Sequence, residues 1–155
     1  MSALAPQIAD CIVTALNGHT FSQAVIAVRT YRPDFKLTDL QSLKVSVAPK
    51  AIHRTMETRA RDKVECQVDV AVQQALPGND TDQLADRLSA ADTLMGLVEE
   101  IQDFLARSSF TIEGVGAWKV VYVDGNPLYH PEHWDQLNVF TSVSTLTLMG
   151  AKGVA

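Results

Sequence analysis

Lys63-Val-Glu-Cys-Gln-Val-Asp-Val-Ala-Val-Gln73 alternates without a break. Val64, Cys66, Val68, Val70 and Val72 fall on one side of an extended chain, and Glu65, Gln67, Asp69, Ala71 and Gln73 on the other. Side chains on a strand point alternately to its two faces, so the stretch predicts a strand with one buried and one wet face. A sheet must cover its apolar face, and the longest helical pattern in the chain follows almost at once.

That helix is announced by a Pro77-Gly78-Asn79 turn and an Asp80-x-x-Gln83 cap. Leu84, Leu88, Ala91, Leu94, Met95, Val98, Ile101, Phe104 and Leu105 then form one apolar stripe, with Asp86, Arg87, Asp92, Glu99, Glu100 and Asp103 off it. Gly96 inside the helix costs about 1 kcal/mol against alanine, which a close approach to the sheet or to the first helix would explain.

Upstream, Leu4, Ile8, Ala9, Ile12, Val13 and Leu16 recur at helical spacing and predict a helix over 3–17. Ser2 serves as its cap, Pro6 lies in its first turn, and Asn17-Gly18 is its left-handed stop. Gln23–Tyr31 is β-branched and almost continuously apolar, which predicts a central strand packed on both faces. Arg32-Pro33-Asp34 breaks it, and Thr38-Asp39-Leu40-Gln41 has capping-box spacing for a short helical turn. Leu43, Val45 and Val47 alternate with Lys44 and Ser46, predicting a strand that ends at Pro49.

Downstream, Trp118, Val120 and Tyr122 alternate with Lys119, Val121 and Val123, and Asp124-Gly125-Asn126-Pro127 stops that strand. Tyr129–Gln136 is a polar-aromatic connection. Val139–Met149 is a last long strand, with Phe140, Leu146 and Leu148 on one face, and Gly150–Ala155 reads as a loose tail.

The chain has 155 residues, 46% hydrophobic and 20% charged, which suits one α+β domain over 1–155. The net charge of −5 argues against a protein that coats nucleic acid. Cys11 and Cys66 both fall on faces read as buried and make no disulfide framework. The N-terminus lacks the basic flank and apolar run of a secretory signal, and no stretch reaches the roughly 18 apolar residues of a membrane span. Synthesis in the cytoplasm with no membrane partner is the expectation.

Several clusters invite chemistry. His130-Pro-Glu132-His133-Trp134 offers two imidazoles and a carboxylate, all suitable zinc ligands, but His-x-x-His is not the His-Glu-x-x-His pattern, and no upstream group supplies further ligands. The plainer reading is a solvated loop whose Trp134 anchors it to the core or to a neighbouring subunit. Gly114-Val-Gly116 precedes a strand, where a phosphate-cradling loop would precede a helix, so it reads as a turn or bulge. Asn79-Asp80-Thr81 matches a glycosylation sequon and reads as a helix cap. No serine lies in a Gly-x-Ser-x-Gly elbow. No catalytic residue, cofactor or metal is expected.

Between the two antiparallel strands, Lys50–Lys63 carries His53, Arg54, Arg59, Arg61 and Lys63 against Glu57 and Asp62. It is a long hairpin tip or a pair of strand extensions projecting from the body. Its basic excess in an acidic protein is either a solvated tip or an arm that docks on an acidic partner or on the next subunit, for which the arginine fork is well suited.

The order of these pieces carries a resemblance. The first helix leads to Val28-Arg-Thr-Tyr31-Arg-Pro33, then Leu40, Leu43, Val45, Val47 and Pro49. Arg59-x-Arg61 and the alternating strand follow, then the long helix and Phe140-Thr-Ser-Val-Ser-Thr-Leu-Thr-Leu148. Over about residues 3–149 this plan resembles the tail-terminator, or tail-completion, proteins of long-tailed bacteriophages, the class that includes the lambda tail terminator. The segment around Tyr129–Trp134 has no match in that plan.

The resemblance implies a mostly antiparallel sheet with two main helices packed on one face. It implies a non-enzymatic virion protein, assembled in the host cytoplasm, whose hexameric ring caps the tail tube, stops its polymerisation and joins the neck, connector or head-completion protein. DNA would pass through the lumen unbound, past a surface whose negative charge keeps it sliding. Under it, His53, Arg54, Glu57, Arg59, Arg61 and Lys63 are candidate tube or neighbour contacts, Glu65, Gln67 and Asp69 a candidate lumen or subunit surface, and Trp134 a candidate neighbour anchor. The alternatives are another neck or head–tail adaptor protein, a small metal-dependent hydrolase built on His130, Glu132 and His133, and a monomeric binding module.

Overall fold

A computed structural model describes residues 3–31, 39–77, 84–125, 128–134 and 138–153. The expectations at Ser2, at Arg32–Asp34 and Thr38, at Gly78–Gln83 and at Asn126–Pro127 fall outside those residues. Among the described residues the chain is α+β. Helix α1 spans Leu4–Gly18 and α2 spans Leu84–Ala106. The strands are β1 (Ala27–Arg29), β2 (Lys44–Met56), β3 (Arg61–Ala75), β4 (Ser109–Ile112), β5 (Gly116–Asp124) and β6 (Val139–Gly153), and a single 3-10 turn covers Asp39–Gln41. They form one mixed sheet in the order β1-β2-β3-β6-β5-β4, curled into a half-barrel. The β1–β2 pairing is parallel and the other four are antiparallel.

The alternating stretch sits at the centre of this sheet. β3 pairs with β2 on one side and along its full length with β6 on the other, from Arg61↔Gly153 to Ala75↔Val139. Val64, Cys66, Val68, Val70 and Val72 are all buried in one cluster with Ile8, Ile12 and Leu16 of α1 and Leu94, Leu97, Val98, Ile101 and Leu105 of α2. Each fully buried Val or Leu contributes about 1.5–3 kcal/mol relative to exposure, so the stripe pins the register of β3. A slip by one residue would put Glu65, Gln67 and Asp69 into the core.

The expected central strand at Gln23–Tyr31 is instead three residues at the sheet edge, with Ile26, Val28 and Tyr31 exposed. Composition made that run β-like, but β3 and β6, which pair over fifteen positions, occupy the centre. β1 is fastened by Asn17 of α1, whose carboxamide accepts the Ala27 N–H at 2.7 Å and donates to the Ala27 carbonyl at 3.2 Å. That tie replaces the expected left-handed stop at Asn17-Gly18. Gly18 belongs to the helix without a positive φ, and His19 caps it in an extended conformation.

β2 does not end at Pro49. The strand runs on to Met56 with a register shift between Pro49 and Ala51. The β1 ladder has already finished at Val47, so proline's missing N–H falls at a bulge on an open edge, a position where strands tolerate it. At the other end of the chain, Gly150–Gly153 is not a loose tail but continues β6 along Arg61–Val64. The β4–β5 hairpin turns through Gly114 (φ 79°) and Gly116 (φ 128°), a use of positive φ that fits the turn reading of that glycine pair.

In α2, Ala91, Leu94, Leu97, Val98, Ile101 and Leu105 are buried. Leu88, expected on the stripe, is exposed, and Leu97 takes a place in the core instead. Gly96 is exposed, with nothing within 4 Å of where a Cβ would stand, so no close approach accounts for it. No described helix is long and apolar enough to cross a membrane.

Candidate functional site

The basic segment lies on the far ends of β2 and β3, with β6 alongside. β2 and β3 stay paired to Thr55↔Lys63 and Met56↔Asp62, and Gly150–Gly153 of β6 pairs with Arg61–Val64 on the other side of β3. The turn between them is closed by the Glu57 and Thr58 N–H groups donating to the Arg61 carbonyl at 3.3 and 3.1 Å, and the Ala60 N–H donates to Thr58 Oγ1 at 3.3 Å. Of the two forms left open by the sequence, the structure has the strand extensions. His53, Arg54, Glu57, Arg59, Arg61 and Lys63 are all exposed.

Register sorts these groups. His53 and Lys63 lie on the face that carries Glu65, with His53 directly opposite Glu65. Arg54 and Met56 lie on the other face, continuous with Val64 and Cys66. Among the described residues the ion pairs are Arg29–Asp10 at 2.8 Å and Lys50–Asp69 at 3.9 Å, so the arm's arginines and Lys63 point into solvent. Exposed cations in that state can reach a partner's carboxylates without first breaking an internal pair.

Glu65, Gln67 and Asp69 are half-buried on the polar face of β3, opposite Met149, Thr147 and Thr145 of β6. Asp69 differs from the other two. Its Oδ1 accepts the Thr145 hydroxyl at 2.6 Å and lies beside Lys50. It lines a hollow of about 290 Å³ with Tyr31, Ser46, Ala48, Ala71 and Val143. Ser46, Ala48 and Ala71 on this face are buried although they lie off the valine stripe.

Trp134 is half-buried and packs against the core cluster. Its ring lies 6.1 Å from that of Tyr129, and the Arg87 guanidinium sits 5.6 Å above it. The neighbouring histidines hold this segment to β6. The His130 N–H donates to the Thr141 carbonyl at 2.9 Å, His133 Nδ1 is hydrogen-bonded to Thr141 Oγ1 at 2.8 Å, and the two imidazoles stack with centroids 5.2 Å apart. Glu132 points to solvent, and no group of three or more His, Cys, Asp or Glu that could hold a metal occurs among the described residues.

Cys66 is fully buried, and burial pushes its thiol up to about 11. Cys11 is only half-buried, and its thiol is raised by burial and by the neighbouring Asp10.

The structure thus gathers the arm residues at the far ends of β2 and β3 and sets Glu65 and Gln67 next along β3. It leaves Trp134 apart, on the segment before β6. What the sequence reading missed is the outward side of β5. A register shift between Val120 and Tyr122 turns Tyr122 to solvent with Val121, although simple alternation puts Tyr122 inside with Trp118 and Val120. The run Val120-Val-Tyr-Val123, with four apolar residues in succession, is the one signal of it. No family model matches the chain, and no curated protein matches it.

Proposed function

We propose that this chain is a structural virion protein, a tail terminator whose copies close into a hexameric ring on the end of a phage tail tube. The ring stops polymerisation of the tube and offers the joint to the neck or connector. The observation that carries the reading is the β2–β3 hairpin end, whose arginines are exposed and unpaired among the described residues. A ring on a tube needs contacts between unlike surfaces, and an exposed basic hairpin end is the kind of element that makes them. In this reading the sheet is mostly antiparallel with both helices covering one face, and the half-buried Glu65, Gln67 and Asp69 on the other face are the surface turned to the lumen or a neighbour. An acidic lumen would repel DNA and let it slide, in keeping with the net charge of −5.

Charge reversal tests the arm. Arg59→Glu with Arg61→Glu should abolish ring assembly or attachment to tail tubes, read by particle imaging of purified protein with and without tubes. Rings and capped tubes identical to the unsubstituted protein would remove the arm from the mechanism. Six-membered rings on tube ends support the terminator reading, and a protein with no affinity for tubes sinks it.

A further inference from the structure

One side of β2 lies open over half its length. The β1 ladder stops at Arg29↔Val47, and the Thr30 N–H donating to the Val47 carbonyl is its last bond. From there β2 runs on to Met56 with β3 alone beside it among the described residues. Every residue from Lys50 to Arg61 is exposed.

Alternation fixes which backbone groups face outward. Along an antiparallel pair, hydrogen-bonded and non-hydrogen-bonded positions take turns. The Glu57 N–H donates to the Arg61 carbonyl, so that position is a bonded one. Counting back, Thr55 opposite Lys63 and His53 opposite Glu65 are bonded to β3, and Ile52, Arg54 and Met56 are not. The far side of β3 agrees. The Leu76 N–H donates to the Asn138 carbonyl, which bonds the even-numbered residues of β3 to β6 and leaves the odd-numbered ones for β2. The N–H and C=O groups of Ile52, Arg54 and Met56 therefore point away from β3, and among the described residues no backbone bond meets them. Such a row of outward groups is a template for one more strand.

The side chains specify that strand. Ile52, Arg54 and Met56 share the face that continues Val64 and Cys66, and Met56 is 87% exposed. Ala51, His53 and Thr55 share the opposite face. Directly opposite residues of paired strands lie on the same face, so an acidic residue flanked by two apolar ones matches Ile52, Arg54 and Met56. Arg59, Arg61 and Lys63 lie at the same end without an ion pair among the described residues, and they add to the attraction for carboxylates. The same charge acts against two copies pairing through this edge, because Lys50 and Arg54 of each would meet like charges.

We propose that the outward edge of β2 at Ile52–Met56 is a β-augmentation site that takes an extended acidic segment of a partner protein as an added strand. Backbone bonds would supply the affinity, and Arg54 between Ile52 and Met56 the selectivity. This gives the basic hairpin end a mode of contact, and it rests on the terminator reading for the partner's place in the tail alone.

The probe is the capped peptide Glu-Val-Thr-Glu-Thr-Val-Glu, titrated into the full, isotope-labelled chain. Saturable binding should slow amide exchange at Ile52, Arg54 and Met56 more than at His53 and Thr55, which already donate to β3. Two forms of the peptide, N-methylated at one or the other alternate set of residues, keep its charge. One should bind as the parent does and the other about tenfold more weakly or worse, since only one set of N–H groups faces β2. Ile52→Pro removes an outward N–H at an edge position where proline is tolerated, and it should weaken the parent peptide. Should that variant lose its folded circular-dichroism spectrum, Arg54→Glu takes its place. No saturable binding at millimolar peptide, equal binding of the two N-methylated forms, or protection away from this edge overturns the proposal. So does concentration-dependent protection of the same three amides in the free protein, which would make a second copy the occupant. Capping of tail tubes is scored separately. Peptide binding without capping sinks the terminator reading and leaves the edge site standing, and capping without peptide binding does the reverse.

Discussion

Gly150 lies opposite Trp118 in the β5–β6 ladder, and a Cβ there would stand 2.6 Å from Cδ2 and Cε3 of the indole. The ring is fully buried and has nowhere to move. Gly150→Ala should therefore lower stability by roughly 1–3 kcal/mol, as over-packing does, measured by urea denaturation. Cys66 makes a pH prediction. Its thiol is held neutral in the fold up to about 11, against an ordinary 9.0. Above pH 9 the unfolded chain releases that proton and the folded chain does not, so the unfolded state gains and stability falls as pH rises from 9 to about 11. Denaturation midpoints across that range should decline, and less so in Cys66→Ala. At both positions the residue was visible in the sequence and its consequence was not. The alternation put Cys66 on the buried face, whereas Gly150 became structural only when Trp118 was laid across it.

At the scale of elements, α2 offers the sharpest case. Its Gly96 faces solvent with open space around the missing Cβ. Gly96→Ala should stabilise the protein by about 1 kcal/mol through helix propensity alone, seen as a higher thermal midpoint, and a loss of stability would mean that a neighbour fills the space. The stripe of α2 was legible because a 3.6-residue period survives any particular docking, but the exchange of Leu88 for Leu97 was not, because the exact azimuth depends on what the helix packs against. The arm was legible as a basic segment between two strands. That it is strand and not loop follows from β2 pairing with β3 and from β6 extending alongside β3 to Gly153. The edge strand β1 shows the opposite failure. Its β-branched run advertised burial, yet Asn17 and a three-residue ladder are what hold it.

For the whole molecule, β3 is the strand paired on both sides over most of its length, and its valines tie both helices to one cluster. Amide exchange should therefore be slowest at Val64–Val72, released only by global unfolding, and fastest among the strands in β1 and β4 at the two edges. Equal protection of β1 and β3 would contradict that hierarchy.

The sequence by itself determined the α+β class, the alternating strand Lys63–Gln73, its helix cover and the basic arm, because these depend on side-chain periodicity and charge along the chain. Tertiary structure decided the edge position of β1, the passage of β2 through Pro49, the outward turn of Tyr122 at its bulge and the strand made by Gly150–Gly153. Each of those depends on which strand lies alongside. Backbone hydrogen-bond partners that are distant along the chain are specified by packing and loop closure, and no local pattern carries them.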